Sequence, residues 1–258
     1  MWAWGVTTNR SGDGESLAWA SIQQWGGRLT DESGEVVKLN SPKTIEGVKW
    51  MSDTYLNPKY EKMLPPGVNS WTDPSNNEAF IAGTLAYTNN AGTMYAKAQF
   101  DKVPFADQIR VIPMPKGGKD TQPLEGAGGA RFNLFTGIKN KDASYAMMAY
   151  LLAPEQMRPL YKTSTGYVVP VYKNMWEDPV VQGDENNKRF QKVAWAEPQF
   201  YGVSHPAPPS PATDAVSRQN LATDMMGQVL KGKKVEDAVK ELHDRAVKIF
   251  KEFGLKGE

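Results

Sequence analysis

The 258-residue sequence contains no cysteine and only two histidines, and these shortages remove several kinds of chemistry. Without cysteine the chain has no disulfide, no thiolate nucleophile and no zinc site built on thiolates. A Ser-His-Asp site would have to use His205 or His243. His243 falls off the apolar stripe of the last predicted helix, which favours a solvated side chain. His205, beside Pro206, could touch a ligand, but a loop residue without that role is the simpler interpretation.

The sequence also lacks an excess of charge and a long apolar run. Thirty basic and 29 acidic residues leave a net charge of +1, which argues against binding to nucleic acid or to an anionic membrane surface. No apolar run approaches the roughly 18 to 20 residues that a membrane-spanning helix requires. We therefore expect no membrane insertion.

Two glycine-containing segments resemble cofactor-binding or metal-binding loops, but their residue spacing does not match the motifs. In residues 126–131 the third glycine position of a dinucleotide fingerprint holds Arg131, and a strand instead of a helix is predicted to follow. Residues 10–16 lack the ligand spacing of an EF-hand. We predict neither a cofactor nor a metal ion.

Aromatic residues, in contrast, are abundant, with eight Trp and ten Tyr. Such rings stack on the apolar faces of sugars, and they also fill protein cores. Composition alone leaves both uses open.

Strands and helices alternate along the chain, which predicts an α/β architecture. Alternating apolar patterns predict strands at Trp2–Thr7, Thr84–Thr88, Gln108–Met114 and Arg131–Ile138. Helical periodicity and end signals predict helices at Glu15–Trp25, from Ser41-Pro42 onwards, at Ser75–Ile81, from Ala143 to Pro154 with Asp142 as N-cap, at Glu155–Tyr161, from Ala212 onwards, and from Val235 to Phe253. Surface loops are predicted at Asn57–Pro74 and Gly183–Lys188.

The strongest candidate for ligand binding is the segment Asn89-Asn90-Ala91-Gly92-Thr93-Met94-Tyr95. A strand that ends in two amides, followed by a glycine and the start of a helix, presents side-chain donors and acceptors with free backbone N–H groups. These groups suit a hydroxyl-rich ligand. A plain Asn-Gly turn would show the same residues, so that alternative stays open.

Four segments together resemble one protein family. They are Trp25–Gly34, Ala79–Asn90, Gly126–Lys173 and Lys231–Ala238. In this order they are similar to the extracellular solute-binding proteins of carbohydrate ABC transporters, family 1, which are related to maltose-binding protein. The resemblance covers nearly the whole chain, although no single motif would carry it.

The resemblance implies a two-lobed type II periplasmic binding protein-like fold of the α/β class. The second, C-terminal lobe would be near complete and the first lobe largely missing. Residues 1–118 would form the first part of the C-terminal lobe, 119–166 the crossing with a residual N-terminal-lobe segment, and 167–258 the return to the C-terminal lobe.

The resemblance also implies a function without catalysis. The protein would work in the periplasm as a monomer, capture a sugar between its lobes and deliver it to the permease subunits of an ABC importer. The implied ligand-binding residues are Asn9, Arg10, Asp13, Asn89, Asn90, Gly92, Thr93, Tyr95, Gly128, Gly129, Arg131, Gly166 and Tyr167.

Since Met1 falls just before what resembles a strand of the second lobe, we expect a chain that is truncated at its N-terminus. Such a chain should expose the apolar segment Phe132–Ile138 and the helix after it, and it should bind sugar weakly or not at all. Two alternatives remain. One is a binding protein for glycerol phosphate or another small polar solute, since arginine serves phosphate and hydroxyl alike. The other is a fragment of a glycoside-processing enzyme that would use Asp13 or Glu15.

Overall fold

A computed structural model describes residues 1–112, 114, 117–118, 132–194 and 202–258. In chain order its strands and helices are β1 (Trp2–Trp4), α1 (Gly12–Gln24), α2 (Pro42–Leu56), α3 (Asp73–Ile81), β2 (Leu85–Tyr87), α4 (Thr93–Phe100), α5 (Lys141–Leu152), α6 (Pro154–Ser164), α7 (Pro179–Gln182), α8 (Glu185–Ala194), α9 (Pro211–Arg218), α10 (Leu221–Leu230) and α11 (Val235–Glu252). Short 3-10 helices lie at Pro58–Met63, Val68–Ser70, Ala106–Gln108, Lys173–Glu177 and Gly202–Ser204.

The chain divides into two compact units. Among the described residues, the first unit holds 1–90, 114, 117–118 and 202–258, and the second holds 91–112 and 132–194. These units are defined by compactness alone. The assignment of 1–118, 119–166 and 167–258 to lobes therefore stays a prediction.

In the first unit β1 and β2 form a parallel pair, with Trp2 opposite Leu85 and Trp4 opposite Tyr87. The first strand ends earlier than predicted, because the backbone beyond Trp4 finds partners outside a strand. The carbonyl of Val6 accepts a hydrogen bond from the Tyr55 hydroxyl at 2.8 Å. Burial in this position raises the pKa of Tyr55. The buried chain after β1 is thus fixed by side chains.

The helices of the first unit enclose its main apolar core. Ser41 caps α2 by accepting a hydrogen bond from the backbone N–H of Thr44, and Pro42 occupies the first turn, which confirms the predicted start. The largest fully buried side chains of this core are Trp19, Phe250, Ile22, Leu29, Leu39, Met51, Leu221, Met226, Val6 and Val48. Packing of α1, α2, α10 and α11 supplies most of them.

The last helix, α11, has the predicted apolar stripe along its length. Ala238, Val239, Leu242, Ala246, Ile249 and Phe250 are buried. At the two ends of the stripe Val235 is half-buried, and Phe253 is half exposed because it lies at the C-cap, beyond the helical turn that faces the core.

The buried carboxylate of Glu15 joins α1 to α10. Glu15 is only 5% exposed and accepts hydrogen bonds from Trp19 Nε1 at 2.8 Å and from the hydroxyl of Thr223. It also accepts the backbone N–H groups of Ala222 at 3.3 Å and Thr223 at 2.9 Å. Asn220, at the N-cap of α10, makes no side-chain capping bond. Glu15 therefore caps α10 from another helix.

The second unit contains α4 to α8 around a smaller core formed by Tyr161, Met175, Trp176 and Val181. Helix α8 begins inside the segment Gly183–Lys188, which was wrongly predicted as a loop. The cause is Asp184, whose carboxylate accepts the backbone N–H groups of Asn186 and Asn187 and so starts the helix.

Two predicted strands are absent from the described residues. Between 109 and 112 the backbone bonds to side chains instead of a neighbouring strand, since Asn186 bonds to Ile109 and Val111. From 132 to 138 the chain is irregular, and Phe132 and Phe135 face solvent without a strand partner. Both strand predictions were wrong over these residues; Arg131 lies outside the described part.

Helix α5 starts at Lys141, with Asn140 at its N-cap position, so the predicted N-cap Asp142 lies inside the first turn. The helix ends before Pro154 as predicted, and Pro154 opens α6, which extends beyond the predicted Tyr161 to Ser164. The predicted loop Asn57–Pro74 contains two 3-10 helices and the start of α3.

The expected exposure of α5 is confirmed. None of its residues is buried, and its most exposed large side chains are Tyr145, Met147 and Tyr150. Among the described residues no helix is both long and apolar enough to cross a membrane.

We predict that Glu15→Ala lowers the free energy of unfolding by about 3 kcal/mol, because buried donors of Trp19 and Thr223 lose a charged acceptor. Urea denaturation followed by circular dichroism measures the change. Glu46→Ala, which removes an exposed glutamate from α2, is the matched control and should change stability by less than about 0.5 kcal/mol. Equal stability of the two variants would contradict the capping role.

Candidate functional site

The carboxyl ends of β1 and β2 share one edge, because the two strands are parallel. Ligands of open α/β sheets bind beyond the carboxyl ends of their strands. The chain that follows β1 leads to Asp13 in the first turn of α1, and the chain that follows β2 leads to Thr88, Asn89 and Asn90. This edge of the first unit therefore gathers residues from both predicted segments.

Asp13 is the centre of a polar cluster at this edge. Its Oδ2 atom accepts hydrogen bonds from Asn76 Nδ2 at 3.0 Å and from Asn90 Nδ2 at 3.2 Å. Its Oδ1 atom has no hydrogen-bond partner in the described part of the chain. One oxygen thus fixes the carboxylate, and the other remains able to accept a donor.

Asn76, Asn77 and Thr88 support this arrangement. Asn76 is fully buried and its Nδ2 also lies 3.4 Å from Thr88 Oγ1, while Asn77 Oδ1 accepts a hydrogen bond from Asn90 Nδ2 at 2.5 Å. We call Asp13, Asn76, Asn77, Thr88 and Asn90 the Asp13 cluster. Sequence reasoning missed Asn76 and Asn77, because their positions inside α3 give no signal of the strand edge that they contact.

Burial and its neighbours set the charge state of Asp13. Partial burial raises the pKa of its carboxyl group, the hydrogen bond from Asn76 lowers that pKa, and the nearby Asp73 carboxylate raises it. The backbone N–H of Asp13 donates to Asp73 Oδ1 at 2.9 Å. The net result is a carboxylate that is costly to ionise in the folded protein and is held by neutral amides.

Asn9 and Arg10, also predicted as ligand contacts, are engaged within the first unit. Asn9 Nδ2 donates to the carbonyl oxygens of Asn69 at 3.2 Å and Trp71 at 2.8 Å. Arg10 pairs with Asp224 at 3.1 Å and donates to the carbonyl of Gln219 at 2.8 Å. Both side chains are exposed. Their ligand role stays a prediction.

The boundary between the units falls after Asn90, so the rest of the predicted segment belongs to the second unit. Asn89, in the first unit, is half-buried, as is Thr93 in the second. Gly92 is buried against Gly166, where a Cβ on Gly92 would lie 2.0 Å from the Gly166 carbonyl oxygen. Gly92 and Gly166 are therefore brought together by close backbone packing, and Tyr167 beside them is exposed.

Tyr95 lies on a cavity of the second unit. Its hydroxyl donates to Asp184 Oδ2 at 2.7 Å, and burial, with the Asp184 carboxylate, raises the pKa of Tyr95 to about 12. The cavity has a volume of about 230 Å³ and is lined by Tyr95, Asp107, Arg110, Glu185, Asn186 and Arg189. Apart from Tyr95, the sequence did not single out these residues, because 91–112 and 185–189 are far apart in the chain.

Three predicted site residues, Gly128, Gly129 and Arg131, lie outside the described residues, as does the start of the predicted crossing, at 119–131. The structure therefore adds nothing to their assignment, which stays a prediction.

The residues weighed for catalysis have other partners. The Glu15 carboxylate is occupied by α10, and Oδ2 of Asp13 accepts hydrogen bonds from two amides. His243 is half-buried, and its Nδ1 accepts the backbone N–H of Asn40 at 3.4 Å, so the prediction of a solvated side chain was wrong. Burial lowers the pKa of both histidines. Within the described residues no cluster of three His, Asp or Glu side chains could hold a metal ion.

Comparison with known proteins identifies the family. The model of the bacterial extracellular solute-binding protein family matches residues 1–189, which is most of the chain. The chain belongs to this family, and the resemblance noted in its sequence is confirmed.

Solved structures show the fold. Maltose-bound MalE3 of T. maritima is 19% identical with a TM-score of 0.74, over 98% of this chain and 60% of that one. An ABC transporter solute-binding protein of Thermotoga lettingae, bound with α-D-tagatose, is 15% identical with a TM-score of 0.75, over 97% of this chain and 60% of that one. The maltose/maltodextrin-binding domain MalE of Bdellovibrio bacteriovorus, bound to maltotriose, is 17% identical with a TM-score of 0.72, over 97% of this chain and 60% of that one.

These similarities establish a type II periplasmic binding protein fold of the α/β class, as predicted. The chain spans about 60% of the length of the structures it matches.

We predict that Asn76→Ala raises the pKa of Asp13 further, because the hydrogen bond from Asn76 lowers that pKa. Carbon-13 NMR titration of the side-chain carboxyl groups measures it. The raised pKa also makes the protein lose stability as pH rises from 3.8 through the folded-state value, since the folded state holds the proton more tightly there.

Asn174→Ala, which removes an exposed amide in the second unit, is the control and should leave the Asp13 titration unchanged. A pKa that stays the same or falls in Asn76→Ala would show that the cluster geometry does not control Asp13.

Proposed function

We propose that this chain is the solute-capturing component of an ABC importer, that it binds a carbohydrate in the periplasm, and that it delivers the sugar to the permease subunits. It would act as a monomer, without a cofactor and without catalysis. Family membership supports solute binding. The observation that carries the ligand class is the Asp13 cluster, which is made of hydrogen-bonding side chains at the carboxyl edge of the parallel strands.

The chemistry of the cluster suits sugar hydroxyls. A hydroxyl can donate to Asp13 Oδ1 in a charge-assisted hydrogen bond, and such bonds are shorter and stronger than neutral ones. Because Asn76 and Asn90 both hold Oδ2, the carboxylate is pre-oriented and loses little freedom when it binds. Solved relatives that carry maltose, maltotriose and tagatose are consistent with this ligand class.

The proposed capture follows the two-lobed design of the fold. Ligand that contacts both lobes favours their closed arrangement by its differential affinity for that state. We assign residues 1–118 and 167–258 to the C-terminal lobe and 119–166 to the crossing and a segment of the other lobe. Asn9, Arg10 and Asn89 belong to the same unit as Asp13 and would add contacts to the sugar. A sugar contact from Gly92, Thr93, Tyr95, Gly166 or Tyr167 stays a prediction.

The proposal excludes glycoside hydrolysis. Paired carboxylates for that reaction must both face the substrate. Glu15 is buried against α10 and satisfied by the Trp19 indole and the Thr223 backbone, so it is a structural residue. Glu15 therefore cannot serve as the second carboxylate beside Asp13 in a glycoside-processing enzyme.

We predict that the chain binds maltose weakly, with a dissociation constant above about 1 mM. This corresponds to a binding free energy that is less favourable than roughly −4 kcal/mol. The reason is that the chain covers only 60% of the length of its solved relatives, so part of a two-lobed site would be absent. Saturation-transfer NMR with maltose, laminaribiose and tagatose at tens of millimolar detects such binding. Submillimolar affinity would contradict the expectation of weak binding, and no transfer from any of the three sugars would contradict the proposed function.

Asp13→Ala should weaken the sugar signal about tenfold, which corresponds to about 1.4 kcal/mol for one charge-assisted hydrogen bond. Asp244→Ala is the matched control, because it removes an exposed carboxylate of α11 that pairs with Lys240. Equal saturation transfer in the two variants would remove Asp13 from the site, whatever the affinity of the unchanged chain.

A further inference from the structure

The cavity of the second unit is built from three separate stretches of chain. Tyr95 comes from α4, Asp107 and Arg110 from the segment after it, and Glu185, Asn186 and Arg189 from α8. Its volume of about 230 Å³ is enough for a small ligand of a few carbon atoms. All of its lining residues belong to the second unit, and none of them is a member of the Asp13 cluster.

Buried hydrogen bonds fix its walls. Asn186 is 4% exposed; its Oδ1 accepts the backbone N–H of Val111 at 3.0 Å, and its Nδ2 donates to the carbonyl of Ile109 at 3.2 Å. The amide therefore clamps the 109–111 segment to α8. On the adjacent wall the Tyr95 hydroxyl is held by Asp184. A site whose walls are already fixed loses little entropy when a ligand binds.

The two arginines of the cavity differ from four other arginines of this protein. Arg10, Arg158, Arg218 and Arg245 each form an ion pair with an aspartate. Arg28, which is exposed, forms none within the described residues. Within the residues that the structure describes, Arg110 and Arg189 pair with no carboxylate, and their hydrogen bonds go to backbone carbonyls. Arg110 donates to Asp107 and Ile109, and Arg189 donates to Val111. Each guanidinium is held in place by backbone carbonyls, and further N–H groups remain available.

The two carboxylates that line the cavity have partners of their own. Glu185 pairs with Lys188 at 2.6 Å; this bond and, less strongly, the positive charge of Arg189 lower the pKa of Glu185. Asp107 Oδ1 accepts a hydrogen bond from Gln99 Nε2 at 3.3 Å. Neither lies within ion-pair distance of Arg110 or Arg189, although all four groups line the same space.

We propose that this cavity binds a small oxyanion, either a carboxylate or a phosphate group, between Arg110 and Arg189. Arginine presents its N–H groups in a planar fork that matches both groups in a bidentate manner. Because Asp107 and Glu185 line the same cavity, the oxyanion would be held by hydrogen bonds from the guanidinium N–H groups and not by an excess of positive charge. Tyr95 and Asn186 complete the walls without adding charge.

The alternative is that both arginines have only a structural role and stabilise the 107–111 segment through their hydrogen bonds. That role needs the hydrogen bonds to backbone carbonyls and nothing else. It predicts no ligand, and it predicts that neutral or lysine replacements act on stability alone. Anion binding and the structural role therefore differ in a direct titration.

The test follows the Nε–H signals of Arg110 and Arg189 by NMR while inorganic phosphate, or separately succinate, replaces chloride at constant ionic strength. We expect saturable shifts of both signals. Saturation with phosphate alone assigns a phosphate ligand, saturation with succinate alone assigns a carboxylate ligand, and both support the proposal. Shifts that are absent or linear with both anions overturn it.

Substitutions then separate the fork from the charge. Arg189→Lys keeps the charge but removes the planar fork of N–H groups. Arg110→Gln removes the charge of a side chain whose hydrogen bonds go only to residues 107 and 109. Each variant should lower the affinity for the anion at least tenfold, which is about 1.4 kcal/mol. Arg158→Lys, in the same unit but paired with Asp178, is the matched control and should not change affinity. Unchanged anion affinity in folded Arg110→Gln, checked by circular dichroism, overturns the proposal.

Discussion

The bond on which the first unit depends is that between the Glu15 carboxylate and the start of α10. It connects residues more than 200 positions apart and places a negative charge where a helix has unpaired N–H groups. Glu15 and Asp13 both lie in the first turn of α1, two positions apart, and residues at that spacing point to different sides of a helix. One side of the turn is therefore fixed into the core so that the other side can hold Asp13 at the strand edge.

The two candidate sites treat charge in opposite ways. At the Asp13 cluster a partly buried carboxylate is surrounded by neutral amides, so its oxygen is an acceptor for neutral donors. In the second unit two guanidiniums donate to backbone carbonyls and keep further N–H groups available. The first arrangement suits the proposed hydroxyl-rich ligand and the second the proposed oxyanion.

The elements that sequence predicted well carry their own end signals or a long pattern. Helix α2 has a cap hydroxyl and a first-turn proline at Ser41-Pro42, and α11 repeats its apolar positions over 18 residues. The elements that failed depend on distant partners. The segment 109–111 has a strand-like sequence, but Asn186, about 75 residues away, takes its hydrogen bonds. No local pattern could reveal that competition.

The candidate site shows the same division. Asn90 was found from its position after a strand and Asp13 from the family resemblance, and the structure brings them within hydrogen-bond distance. Asn76 and Asn77 were missed, because their value lies in the register between α3 and the strand edge and not in any spacing along the chain. Arg110 and Arg189 were missed for a similar reason. A guanidinium without a carboxylate partner is visible only when its surroundings are known.

Helix α5 illustrates how little tertiary packing stabilises a helix whose side chains are not buried in a core. With no buried residue, its 12 residues gain little from tertiary packing and depend on their own backbone hydrogen bonds. Isolated helices of about that length are marginal in water. Its amide hydrogens should therefore exchange with solvent far sooner than those of α11. The two helices would then report two different local free energies of opening within one molecule.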